Sequence, residues 1–117
     1  MRTIDAETGL CGVIGHPVGH SLSPRLHNAA FAATGLNFVY LAFDVIEVAP
    51  FLAGMRATPS FRGLSVTIPH KLAVIPHLDS LDPLAAKIGS VNTITNEDGK
   101  LVGSSTDGMG AVRAFDQ

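Results

Sequence analysis

The 117-residue sequence predicts a single α/β domain: a three-layer, mostly parallel open sheet with one antiparallel strand and helices on both faces. Three observations predict it. Apolar and β-branched runs alternate with segments of helical spacing, the pattern of βαβ units. The first run, Leu10–Gly15 (LCGVIG), is short, apolar and stopped by glycine, as a buried strand is. One hairpin signal, Glu97-Asp98-Gly99, joins two later runs and sets one strand against the rest.

The elements follow in order. Gly15, Pro17 and Gly19 punctuate a loop that reaches Ser23. Ser23-Pro24 opens a helix, because serine suits the N-cap and proline the first helical position. That helix runs to about Thr34, and Gly35 ends it. Phe38–Asp44 (FVYLAFD) is aromatic and β-branched, hence a strand. Val48–Thr58 reads as a helix, with Leu52, Met55 and Arg56 at helical spacing. Arg62–Thr67 is a strand, and Pro69 marks its exit. Leu72–His77 and Pro83–Ile88 read as short helices. Val91–Asn96 and Lys100–Ser104 are the hairpin strands, and Gly108–Phe115 begins a last helix.

Composition excludes several functions. Hydrophobic residues make up 46% and charged residues 15% of the chain. So apolar a sequence collapses rather than staying disordered. A net charge of -2 goes against a nucleic-acid binder, which carries a basic stripe. The single cysteine, Cys11, makes neither an internal disulfide nor a cysteine-rich zinc site, so a reducing, cytoplasmic setting is expected. Arg2, Asp5 and Glu7 interrupt the N-terminal stretch, which is not expected to be a signal peptide. No run approaches the ~20 apolar residues of a membrane helix.

Open parallel sheets bind ligands beyond the carboxyl ends of their strands. Three loops leave such ends. They carry Ser21 and Ser23, then Thr67 and Lys71, then Thr106 and Asp107. If Lys100–Ser104 is parallel to the other strands, Val91–Asn96 runs backwards and Asn92 starts it at the same rim. Hydroxyls, an amide, an ammonium and a carboxylate then meet along one edge. Ser21 and Ser23 flank a helix start, where free N–H groups and the dipole favour an anion. For Ser23 the competing role is a helix cap. Lys71 can act as general base or charge stabiliser, against the plain role of a solvated surface lysine. Asp107 can bind a ligand hydroxyl or cap the last helix. Asn92 is out of place by strand propensity, and such violations mark functional positions.

His16, His20 and His27 suggest metal spacing, but Pro17 and Gly19 break any helical pair and no acidic ligand is near in sequence, so no metal site is expected. His70 beside Lys71 reads as a packing residue. Gly108-Met109-Gly110 with Arg113 lacks the third glycine of a dinucleotide fingerprint.

Ser21-Leu22-Ser23-Pro24 with Leu26-His27-Asn28 resembles the SLSP…HN opening of the shikimate dehydrogenase family. Gly63–Lys71 (GLSVTIPHK) resembles its G-x-N-V-T-x-P-x-K segment, Ile88–Thr93 (IGSVNT) its I-G-A-V-N-T, and Thr106-Asp107-Gly108 its T-D-G. The four motifs occur in the family's order. Ser65 and Ser90 depart from it, standing where many members have Asn and Ala. Along the strand, the Ser65 side chain points opposite to Val66.

The resemblance implies reduction of 3-dehydroshikimate to shikimate with NADP, in aromatic amino-acid biosynthesis. It implies that Ser21 and Ser23 hold the substrate carboxylate and that Thr67, Asn92 and Asp107 bind ring hydroxyls. Lys71, paired with Asp107, becomes the catalytic acid/base. Residues 1–107 are expected to be the substrate-binding domain and 108–117 the start of an inter-domain helix. The family's nicotinamide-binding domain lies beyond, so no cofactor-binding residue is expected in this chain, which should fold but not turn over alone. The alternatives are a non-catalytic module that binds shikimate-like hydroxy acids, and the same enzyme class acting on quinate. Ser21 favours shikimate over quinate.

Overall fold

The structure, a computed structural model, describes residues 3–105. In chain order these form β1 (Gly9–Gly15), α1 (Ser23–Thr34), β2 (Phe38–Asp44), α2 (Val48–Arg56), β3 (Phe61–Val66), β4 (Ser80–Leu81), α3 (Pro83–Ile88), β5 (Thr93–Glu97) and β6 (Lys100–Ser104). A 3₁₀ turn, Ile75–His77, precedes β4. All six strands join one sheet in the order β2-β1-β3-β5-β6-β4. β1 is parallel to both β2 and β3, and β4 is parallel to β6. β5 runs against both of its neighbours, β3 and β6. The fold is therefore α/β with a single reversed strand, as the hairpin signal predicts. The expected helix from Gly108 lies outside the described residues.

Local chemistry explains most boundaries. Gly35 ends α1 with φ 74°, a left-handed cap that costs glycine nothing. Asp82 caps α3 by accepting a hydrogen bond from the Ala85 N–H at 2.7 Å. Asp98 (φ 54°) and Gly99 (φ 86°) form the two-residue turn between Glu97 and Lys100, and such turns require positive φ at both positions.

Several expectations change. The strand expected at Val91–Asn96 is Thr93–Glu97, so Asn92 precedes it rather than starting it. The segment 72–77 is not an α-helix but turns followed by the 3₁₀ element, because Pro76 has no N–H to propagate one. β4 is an extra strand, two residues long. The cap of α1 is also different. Leu22 occupies the N-cap without a side-chain bond, and Ser23 is the first helical residue.

Helices cover the two faces unequally. On one face, α1 sets Phe31 against Cys11, Val13 and Tyr40. On the other, α2, the 3₁₀ segment and α3 close over Ile14, Leu64, Val66, Ile94 and Leu101. Strand alternation sorts these side chains: in β3, Leu64 and Val66 enter the second core, and Ser65 faces α1. Among the described residues, no helix is long and apolar enough to cross a membrane.

Candidate functional site

β1, β2, β3 and β6 all end at one rim of the sheet, and β5 begins there. The β1–α1 loop leaves this rim at His16 and folds back over it. The loop can lie this close because Gly15 has no side chain: a Cβ there would stand 2.5 Å from the Thr67 methyl carbon and 2.8 Å from Val18. A cavity of about 370 Å³ results on the α1 face, lined by Val13, Pro17, Val18, His20, Ser21, Ser23, Ser65 and Thr67.

Four hydroxyl residues thus share one cavity. Ser21 Oγ accepts from the Ser23 N–H at 3.2 Å, a serine turn that leads into α1. The Ser21 N–H donates to the Val18 carbonyl at 3.0 Å, which fixes the turn. Ser65 Oγ accepts from the Tyr40 hydroxyl at 2.9 Å, and Tyr40 is fully buried. Burial raises the Tyr40 pKa, against the lowering effect of its bonds to Ser65 and Ser23. The phenol is therefore a neutral donor at physiological pH.

Of the residues singled out in the sequence, Ser21, Ser23 and Thr67 come together here. Lys71 lies exposed on the turn after β3, outside the cavity lining. Its carbonyl accepts from the Val91 N–H at 3.1 Å, which ties that turn to the segment before β5. Asn92 sits between two strand ends at the same rim. Its carbonyl accepts from Val66 at 2.7 Å and its N–H donates to Ser104 at 3.0 Å. Thr106 and Asp107 lie outside the described residues. The sequence reading gives no binding role to Ser65 or Tyr40, and weighs His20 only as a metal ligand. Alternation places Ser65 beside Thr67 on one face, which is a readable signal. Tyr40 required the register of β2 on β1.

The histidines have separate duties. His16 Nδ1 meets the Asp44 carboxylate at 2.5 Å, so an acidic partner distant in sequence is near in space. His27 stacks on Tyr40. His70 is buried, with Nε2 bonded to the Val45 carbonyl, which fastens the turn carrying Lys71 to the end of β2. Among the described residues, no three His, Cys, Asp or Glu side chains gather to hold a metal. Burial pushes the Cys11 thiol up to about 12, so it stays protonated and unreactive.

Residues 13–94 match the family model of the shikimate dehydrogenase substrate-binding domain. The chain belongs to the shikimate dehydrogenase family. The shikimate dehydrogenase (NADP(+)) of Moorella thermoacetica is 57% identical over 119 residues, which cover 100% of this chain and 40% of that protein. The corresponding protein of Thermococcus kodakarensis is 55% identical over 97% of this chain and 42% of its own. Among solved structures, shikimate 5-dehydrogenase from Listeria monocytogenes in complex with shikimate and NAD matches with a TM-score of 0.87 at 45% identity, over 99% of this chain and 40% of that one. The chain thus spans about 40% of the length of the shikimate dehydrogenases it matches.

The NADP of those relatives does not fit the described residues. A pyrophosphate needs a glycine-rich turn between a strand and a helix. The β1–α1 loop has only Gly15 and Gly19 with Pro17 between them, and the space above Gly15 is filled by Thr67 and Val18.

Proposed function

We propose that this chain is the substrate-binding part of an NADP-dependent shikimate dehydrogenase, acting in the cytoplasm in aromatic amino-acid biosynthesis. The observation that carries the reading is the cavity in which Ser21, Ser23, Ser65 and Thr67 converge at the carboxyl ends of β1 and β3. Small hydroxyl side chains around a cavity this size suit a compact polyhydroxy acid. Ser21 and Ser23, at the start of α1, take the carboxylate, where the helix dipole adds to their hydrogen bonds. Thr67, Asn92 and Asp107 take ring hydroxyls.

Lys71 is the acid/base, paired with Asp107. Oxidation of a secondary alcohol requires a proton to leave the oxygen as hydride leaves the carbon; the neutral Lys71 amine takes that proton, becomes the ammonium and passes it to solvent, and the ammonium returns it in the reverse reduction. The described residues supply binding and this proton transfer. The nicotinamide is held by a second domain, with residues 1–107 the substrate domain and 108–117 the start of the connection.

Calorimetric titration with shikimate tests the reading. Changing Ser21 and Ser23 together to Ala should weaken binding by about 2–3 kcal/mol, at ~1–1.5 kcal/mol per hydrogen bond to a charged group. An unchanged dissociation constant overturns the assignment. With a nicotinamide domain joined to the chain, Lys71→Met should lower turnover by at least ~10²-fold while shikimate affinity moves far less. Retained turnover would remove Lys71 from the mechanism.

A further inference from the structure

The β1–α1 loop brings one ionisable side chain into the cavity. Pro17 and Gly19 bracket Val18, which is buried and lies against Gly15 at the end of β1. The Ser21 N–H donates to the Val18 carbonyl at 3.0 Å, closing a turn with Gly19 and His20 at its two central positions. His20 is exposed at the tip of that turn, yet it lines the cavity beside its neighbour Ser21 and with Ser23. Three polar side chains thus reach the cavity from one short stretch of chain.

The rest of the lining carries no charge. Val13, Ser65 and Thr67, on the sheet side, do not ionise at ordinary pH, and neither do Pro17 and Val18. The charged groups of the surrounding elements lie elsewhere. Arg25 in the first turn of α1 and Lys71 on the turn after β3 are exposed and outside the lining. At the base of the loop, His16 is engaged with the Asp44 carboxylate. Among the described residues, His20 is therefore the one side chain lining the cavity that can carry a positive charge.

Hydroxyls and helix N–H groups are neutral donors. An anion held by them alone brings a full negative charge into partly desolvated space. A cation at the same place offsets that cost. Histidines as a class gain and lose their proton between about pH 5 and 8. When the cation is optional in this way, anion and proton bind together, and each raises the site's affinity for the other by the same factor.

We propose that His20 is the cation of this cavity: its imidazolium joins Ser21 and Ser23 in holding the anionic group of the ligand, so that binding takes up a proton. The inference rests on the proposed function, which supplies the carboxylate.

Calorimetric titration of the chain with shikimate tests it between about pH 5.5 and pH 8, where histidines change charge and carboxylates do not. The dissociation constant should be about tenfold lower at the acid end. That is the small end of what an opposite charge does to an ionisable neighbour, because His20 is exposed. The sign follows from linkage: the gain is complete below the pKa of the free imidazole and is lost as pH rises through that of the complex. In H20Q the dissociation constant should stay at the unaltered protein's alkaline value throughout. Shikimate methyl ester, which has no charge, should bind with the same constant at every pH. Near pH 7, heats measured in two buffers of different ionisation enthalpy should show proton uptake by the unaltered protein and none by H20Q. A pH-independent constant for shikimate, a pH dependence that survives in H20Q, or an equal dependence for the ester overturns the role of His20 while leaving the cavity as the shikimate site. Absence of shikimate binding at every pH overturns both.

Discussion

The two faces of the sheet bury very different amounts of apolar surface. Under α2 and α3, thirteen buried residues among those described form one cluster, from Ile14 and Val45 through Leu64 to Leu101. Phe43 and Phe51 pack on Phe61 of that cluster, with ring centroids 5.3 to 5.8 Å apart. Under α1 the corresponding cluster is four residues, Cys11, Val13, Phe31 and Tyr40. The thick face supplies most of the burial free energy and holds the strands rigid. The thin face leaves the carboxyl ends of β1 and β3 uncovered, and the hydroxyl cavity occupies that space. The main apolar core and the hydroxyl cavity thus lie on opposite sides of the same strands. Leu64 and Ser65, adjacent in β3, belong one to each.

That separation can be broken where the effect is largest. Leu64→Ala opens a cavity in the thick core and should cost about 2–5 kcal/mol, measured by urea or thermal unfolding. It should leave shikimate affinity nearly unchanged in whatever fraction stays folded. A stability loss below about 1 kcal/mol would mean that this face is not the main support. The thin face should yield a smaller, pH-dependent effect. Burial holds the Cys11 thiol near 12, above the ordinary value of 9.0, with Arg62 pulling the other way. The unfolded chain therefore releases this proton at lower pH than the folded one. The contribution is fully present below pH 9 and is lost as pH rises toward 12. Unfolding curves of the unaltered protein and Cys11→Ala should converge over that window. Parallel curves would show that the thiol is not held protonated by the fold.

Much of the thick face was legible in the sequence, and less of the thin one. Phe38–Asp44, Pro83–Ile88 and Lys100–Ser104 have the bounds that propensity and turn chemistry give them. The reversal of β5 followed from Asp98-Gly99, a local signal. β4 was invisible because two residues carry no periodicity, and its pairing depends on β6 alone. On the thin face, Ser21, Ser23 and Thr67 lie in readable motifs next to glycine and proline. Tyr40 looked like an ordinary strand aromatic. Its contact with Ser65 depends on β1 pairing Cys11 with Tyr40 and Val13 with Ser65, which lets the phenol reach across β1 to β3. No local pattern encodes a contact between residues 25 apart.

The reversed strand also fixes a parity. A strand that enters at the cavity rim leaves at the far rim, and the Asp98-Gly99 turn sends β6 back. Ser104 therefore returns to the level of Asn92, to which its carbonyl is bonded at 3.0 Å. Removing either β5 or β6 alone would deliver the end of the sheet to the opposite rim. Asn92 and the exit from β6 are neighbours through the count of reversals in the chain path, whichever side chains line the rim.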